Sequence, residues 1–248
     1  MGWKLFLSLV FSLVVVSLLV FYWFIPFGNV EFSFKPVNSN FSINSSGFEG
    51  MQFYNNMRYS DSKISYRISE SCSLQKKNDA ERALNIISEK TTLIFYSVSS
   101  EEEISISCNE ENQVKGGLFV AGEGGPTSII KSGNFNVILK GEILLIRDTS
   151  CQNPNVAIHE FFHALGFEHS DNKKNIMYPI SDCNQVIGDD NIALINNIYS
   201  FKSVPDLSFE NVSATMKGKY LDANITIRNR GLKNSESSKL IIYAEEEL

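Results

Sequence analysis

The sequence predicts an α/β (α+β) fold: a twisted mixed sheet with three helices, preceded by one membrane-spanning helix and followed by a short β tail. Three observations point there. Short segments with period-two alternation flank single stretches with helical spacing. An uncharged apolar run fills the amino terminus, and alternation returns beyond residue 205. With 43% apolar and 20% charged residues in 248, the chain can bury a sizeable core, which excludes wholesale disorder. The net charge of −6 argues against a nucleic-acid partner, which needs surplus Lys and Arg to displace phosphate counterions.

Leu5–Phe27 carries no charge. As a helix it spans about 35 Å, enough for a hydrocarbon core of about 30 Å. It ends in Tyr22, Trp23, Phe24 and Phe27, residues of a membrane-interface belt more than of a peptidase cleavage site. The expectation is an anchor, with a cleaved secretory signal as the alternative; either way the remainder is exported. Lys4 lies before the run, whereas Glu31 and Lys35 cancel after it, which places the body outside a cell membrane.

Residues 28–53, rich in Asn, Ser and Phe without a period, read as a stalk. Residues 54–202 read as the main folded body. Within it, Lys63–Ile68 alternates as a strand. Asn78–Lys90 has helical spacing, with Ala80, Ala83, Leu84, Ile86 and Ile87 near one face. Thr92–Val98 and Ile104–Cys108 follow as strands. The Gly-rich stretch 114–130 reads as loop around a short strand at Leu118–Ala121. Asn136–Leu139 and Ile143–Ile146 read as two further strands. Pro154–Leu165 is a helix with Asn153 as its cap and proline at its first position. Asp189–Tyr199 is another, with two aspartates at its positive end.

Cys72, Cys108, Cys151 and Cys183 fit an oxidising compartment. Four cysteines allow three pairings, and spacing does not choose among them. Cys72–Cys108 with Cys151–Cys183 is favoured because each would close one loop around a separate part of the fold.

Residues 159–169 read His-Glu-Phe-Phe-His-Ala-Leu-Gly-Phe-Glu-His and hold all three histidines of the chain. On a helix, His159 and His163 stand one turn apart on one face. Gly166 accepts the left-handed backbone of a helix exit, so the chain can turn back and bring His169 to the same point. Three imidazoles leave a fourth tetrahedral position for water, the pattern of a catalytic zinc site. Glu160 lies about 100° round the helix from the first ligand, placed to take the proton of zinc-bound water. Histidines satisfied in a core are the ordinary alternative. Three histidines fall at this spacing by chance in roughly one placement in ten thousand.

This extended motif is similar to the metzincin signature of zinc metallopeptidases. Ser170 after the third histidine and Met177-Tyr178-Pro179 beyond it resemble the matrixin branch, the matrix-metalloproteinase-like family. The resemblance implies a Met-turn at Met177 beneath the metal and a specificity pocket lined by Pro179 and Ile180. It also implies an upper edge strand that aligns substrate, best matched by Gly117–Ala121 with Leu118 within it. Phe162 departs from the family, which has a small glycine there. No histidine remains for the family's second zinc, and calcium is an option to which no residue is assigned. The tail from Val204-Pro-Asp-Leu, residues 205–248, resembles part of a CARDB-type, immunoglobulin-like adhesion module with about three strands.

The expected function is therefore zinc-dependent endopeptidase action on extracellular proteins or peptides, through a zinc-bound water with Glu160 as general base. The alternative is a non-catalytic zinc-binding surface or adhesion module, from which the presence of Glu160 distinguishes it.

Overall fold

The computed structural model describes residues 2–24, 48–110, 113–115, 118–147, 151–217 and 219–243. The chain divides into two units, each taken by itself below. The first contains α1 (Gly2–Phe24) and a hairpin of β9 (Leu207–Lys217) and β10 (Tyr220–Asn229). α1 is long and apolar enough to cross a membrane by length and composition. The expected span ran to Phe27, and its last three residues lie outside the described ones, as do residues 28–47 of the expected stalk. The hairpin is antiparallel and carries an Arg228–Glu210 pair at 2.6 Å.

The second unit is the body. Its sheet has the order β1-β8-β4-β2-β3, with β7 also paired to β8. The strands are β1 (Met57–Tyr59), β2 (Lys63–Ile68), β3 (Ile94–Ser97), β4 (Ile104–Cys108), β7 (Gly122–Ser132) and β8 (Phe135–Leu145). All pairings are parallel except that of β7 with β8. Parallel neighbours need a crossover. α2 (Leu74–Lys90) supplies it between β2 and β3, starting a turn earlier than its apolar spacing predicts. The cause is Ser73, whose side chain accepts from the Lys76 amide at 3.3 Å. Ala80, Ala83, Leu84 and Ile87 bury one face of α2 in the core that also holds Ile64, Ile104 and Ile106 of the sheet. α3 (Asn155–Ala164) and α4 (Asp189–Tyr199) complete the three helices of the body.

Several sequence expectations need correction. The glycine-rich stretch is mostly sheet: β5 (Gln113–Lys115) and β6 (Leu118–Val120) form a separate small hairpin, and Gly122 opens the eleven-residue β7. The two strands expected at 136–139 and 143–146 are one, β8. Its polar interval at Lys140-Gly141-Glu142 marks where one neighbour gives way to another. β1 pairs with residues 136–138 and β4 with 141–145. Pro154 occupies the cap position of α3, and no side chain caps that helix; Asn153 contributes its carbonyl, which accepts from the Asn155 amide at 2.9 Å.

The stalk boundary also moves. Phe48, Met51 and Phe53 pack against the core, and Gln52 is buried with its amide bonded both ways to Met57 at 2.8 and 3.0 Å. These apolar side chains have somewhere to go, so the chain is folded before residue 54.

Among the described residues, the expected β tail is a two-stranded hairpin without a third strand. Lys239–Tyr243 forms no ladder and exposes Leu240, Ile241 and Ile242. After the hairpin the chain rejoins the body. Leu232 donates to the Val204 carbonyl at 3.0 Å and buries its side chain with Phe135, Val137 and Phe201.

Candidate active site

α3 carries the first two histidines, and its exit places the third. The helix ends in a reciprocal pair of bonds: Phe167 N–H to the Phe162 carbonyl at 3.0 Å, and Gly166 N–H to the His163 carbonyl at 2.9 Å. This Schellman arrangement needs a left-handed residue, and Gly166 supplies it at φ +94°. The reversed chain then delivers His169. The Nε2 atoms of His163 and His169 stand 3.1 Å apart, and the three rings lie 4.6, 4.6 and 5.3 Å apart centre to centre. One ligand atom from each histidine falls within 4.8 Å of the others.

Bonds to the other ring nitrogens fix the orientation. His159 Nδ1–H donates to the Ile176 carbonyl at 2.7 Å, and His163 Nδ1–H donates to the Phe167 carbonyl at 2.8 Å. A carbonyl only accepts, so both Nδ1 atoms carry the hydrogen and both Nε2 lone pairs are free for a metal. Burial lowers the pKa of His163 and brings that of His159 down to about 4, which keeps both rings neutral as ligands must be. A tetrahedral zinc with bonds of about 2.0–2.1 Å needs nitrogens about 3.3 Å apart, close to the observed separation. The donor set and its geometry fit zinc. Among the described residues this is the one cluster of three or more His, Cys, Asp or Glu side chains placed to hold a metal.

The segment Asn175–Met177 links two of these histidines. Ile176 receives the His159 bond, while the Met177 carbonyl accepts from the amide of Ser170, next to His169, at 2.8 Å. Met177 is fully buried in the core. Asn175 holds this turn from both sides. Its Oδ1 accepts from Met177 N–H, and its Nδ2 donates to Asn191 of α4, each at 2.9 Å. Phe53 adds a wall, stacked on His163 with ring centres 5.8 Å apart.

Glu160 is buried on α3 against β7. Burial first, then the Glu123 carboxylate, pushes its pKa up to about 8, and a cation nearby would counter that shift. The glycines of β7 make room for it. A β-carbon at Gly122 would lie 2.7 Å from Glu160 Cγ, and one at Gly124 would strike the Glu160 backbone carbonyl. Sequence reading missed Gly122, Gly124, Asn175, Asn191 and Phe53. The alternate glycines at 122 and 124 were the legible signal, a strand whose one face another backbone approaches.

The remaining expected residues are placed as follows. Pro179 and Ile180 follow the Met177 turn with exposed side chains. Gly117 lies outside the described residues, and Leu118 belongs to β6, apart from the main sheet. Ala121 accepts through its carbonyl from Ile146 and Arg147, both at 3.0 Å. The strand of the main sheet that packs along α3 is β7, one step further on. Phe162 is fully buried, its ring set edge-on to Phe167 with centres 5.2 Å apart, so the bulk at this position faces the core. The disulfides join Cys72 to Cys108 and Cys151 to Cys183.

No curated protein matches the chain. The family model of the matrixins matches residues 58–200, and nothing in that match extends to the tail likened to CARDB-type modules. The matched span is more than half of the chain and contains the sheet, the histidine triad and the Met177 turn, so this chain belongs to the matrixin family of zinc-dependent peptidases.

Proposed function

We propose that the chain is a membrane-anchored zinc endopeptidase that cleaves proteins outside the cell. The observation that carries this reading is the convergence of three imidazoles, two of which, His159 and His163, have their Nδ1 hydrogens already committed to backbone carbonyls. Zinc supplies Lewis acidity toward water and toward the substrate carbonyl. His159, His163 and His169 would hold the ion, and buried Met177 would serve as the Met-turn methionine of the site. Glu160 takes a proton from the attacking water as its oxygen bonds to the carbonyl carbon. The same carboxyl gives that proton to the amide nitrogen as the C–N bond breaks. Burial of Glu160 suits it to hold a proton between these steps. The β7 strand beside α3 aligns the substrate backbone, and Pro179 and Ile180 line the pocket for a substrate side chain. Two disulfides and the apolar α1 support an exported body on an anchor.

The test is metal content and casein hydrolysis by the detergent-solubilised full chain. We expect about one zinc per chain and turnover, with Glu160→Gln cutting turnover by about 10²–10⁴-fold at unchanged zinc content. His169→Ala should lose the metal. Full activity in Glu160→Gln would overturn the base assignment. The mass of the mature amino terminus separates a retained anchor from a cleaved signal.

A further inference from the structure

The loop after the Met177 turn is held by its backbone, not by its side chains. Pro179, Ile180, Ser181, Asp182, Cys183 and Asn184 are all exposed, so apolar burial does not fix where this stretch lies. Two buried amides and one covalent bond do so instead. Asn155, at the first turn of α3 and 2% exposed, donates through Nδ2 to the carbonyls of Asp182 at 2.7 Å and Gln185 at 3.3 Å. Gln185, 3% exposed, donates to the Ile180 carbonyl at 2.8 Å and accepts from the Asp182 amide at 2.9 Å. Cys183 is bonded to Cys151, four residues before α3 begins. The helix that ends of this clamp reach is the one that bears His159 and His163.

The consequence is geometric. Among the described residues, the bonds of residues 180–185 run within the loop or back to the start of α3, apart from a weak 3.4 Å bond from Gln185 to the Lys173 carbonyl. The ends of the loop are held by Tyr178 N–H to the Asn175 carbonyl at 3.0 Å and by Val186, bonded to Lys174 and Ile176 at 3.0 and 2.8 Å. Between those two fixed ends, the position of Ile180 relative to the histidine triad is set through α3. We propose that Cys151–Cys183, Asn155 and Gln185 form a clamp that determines substrate selectivity, by fixing the loop wall at a set distance from the metal-binding histidines. This rests on the peptidase reading above and deepens it. The three are positioning residues: none reaches the reacting atoms, and each acts through Pro179 and Ile180. A rigid wall discriminates by size, because a side chain too large must displace a pinned backbone. A loosened wall yields, and the preference flattens. The other bridge, Cys72–Cys108, joins the segment before α2 to the end of β4 and supplies a built-in control.

The experiment compares the full chain with the double variant Cys151→Ala/Cys183→Ala, with Asn155→Ala, and with the control Cys72→Ala/Cys108→Ala. Two readouts are taken: the ratio of kcat/KM for peptides with small and large side chains after the cleaved bond, and amide hydrogen exchange of residues 180–185. In the first two variants we expect the size-preference ratio to fall about tenfold with zinc retained, the scale on which an apolar pocket discriminates one or two methylenes. Exchange at 180–185 should quicken in both. The control should keep the ratio and the local protection, whatever it loses in stability. An unchanged ratio or unchanged local exchange in the zinc-loaded clamp variants would overturn the proposal. Should the full chain bind zinc and cleave no peptide, the peptidase reading falls, and the exchange result still decides whether the clamp exists. Asn155→Ala keeps both disulfides, so the proposal stays testable if removal of the Cys151–Cys183 bridge prevents folding.

Discussion

The phenyl ring of Phe53 lies stacked on the imidazole of His163, ring centres 5.8 Å apart and planes inclined by 24°. A residue just inside the last turn before the sheet thus forms part of the metal-binding wall. It is tied there by Phe53 N–H to the Gly166 carbonyl at 2.9 Å and Glu168 N–H to the Met51 carbonyl at 3.0 Å. Phe53→Ala removes a half-buried ring and should lower stability by about 2 kcal/mol, and zinc affinity with it, read by thermal unfolding with and without chelator. Unchanged melting in both conditions would remove Phe53 from the site.

Glycines 122 and 124 separate two kinds of damage. At Gly122 the added methyl meets the side chain of Glu160, 2.7 Å from Cγ, so Gly122→Ala should displace the carboxyl and cost turnover while zinc stays bound. At Gly124 it meets the Glu160 backbone, which cannot swing away. Gly124→Ala should therefore cost about 1–3 kcal/mol of stability, and metal with it. Chelator-corrected zinc content beside casein turnover distinguishes them.

Arg58 ties the end of α4 to β1. It is 1% exposed and donates to the carbonyls of Tyr59, Ile198 and Phe201 at 2.9, 2.5 and 3.1 Å, with its guanidinium carbon 4.4 Å from the Tyr199 ring centre. Arg58→Ala removes those three bonds from a buried site and should destabilise the body by about 3–5 kcal/mol, measured by denaturant unfolding. A lysine lacks the planar fork, so Arg58→Lys should recover only part of the loss.

Acid stability should depend on Glu102. The hydrogen bond from Arg67 at 2.5 Å holds its carboxyl at about 2, below the ordinary 4.5. Its folded-state pKa is depressed, so its contribution is present above pH 4.5 and is lost as pH falls toward 2. Glu102→Gln should flatten the decline of melting temperature in that window and leave the slope above pH 6 unchanged. An identical acid slope in the variant would remove the pair from the account.

The histidines and Glu160 were legible because helical period alone dictates which residues share a face. Gly166 was legible because few residues accept its backbone. β7 was not, since glycines carry no alternation to read; what they record is the approach of α3, a tertiary fact. Residues 48–53 lack a period for a similar reason, being held by single contacts to Met57, Gly166 and Glu168. The three residues of β1 are too few to show one at all. β8 was split at Gly141, where an added β-carbon would meet the Tyr59 hydroxyl, itself bonded to the Ala164 carbonyl at 3.1 Å.

Both sulfur bridges join cysteines that are neighbours in chain order, the first to the second and the third to the fourth. If the body follows its anchor through a translocation pore, Cys72 meets its mate some forty residues before Cys151 arrives. Oxidation in order of appearance then yields the native connectivity directly, with no swap between mismatched thiols required.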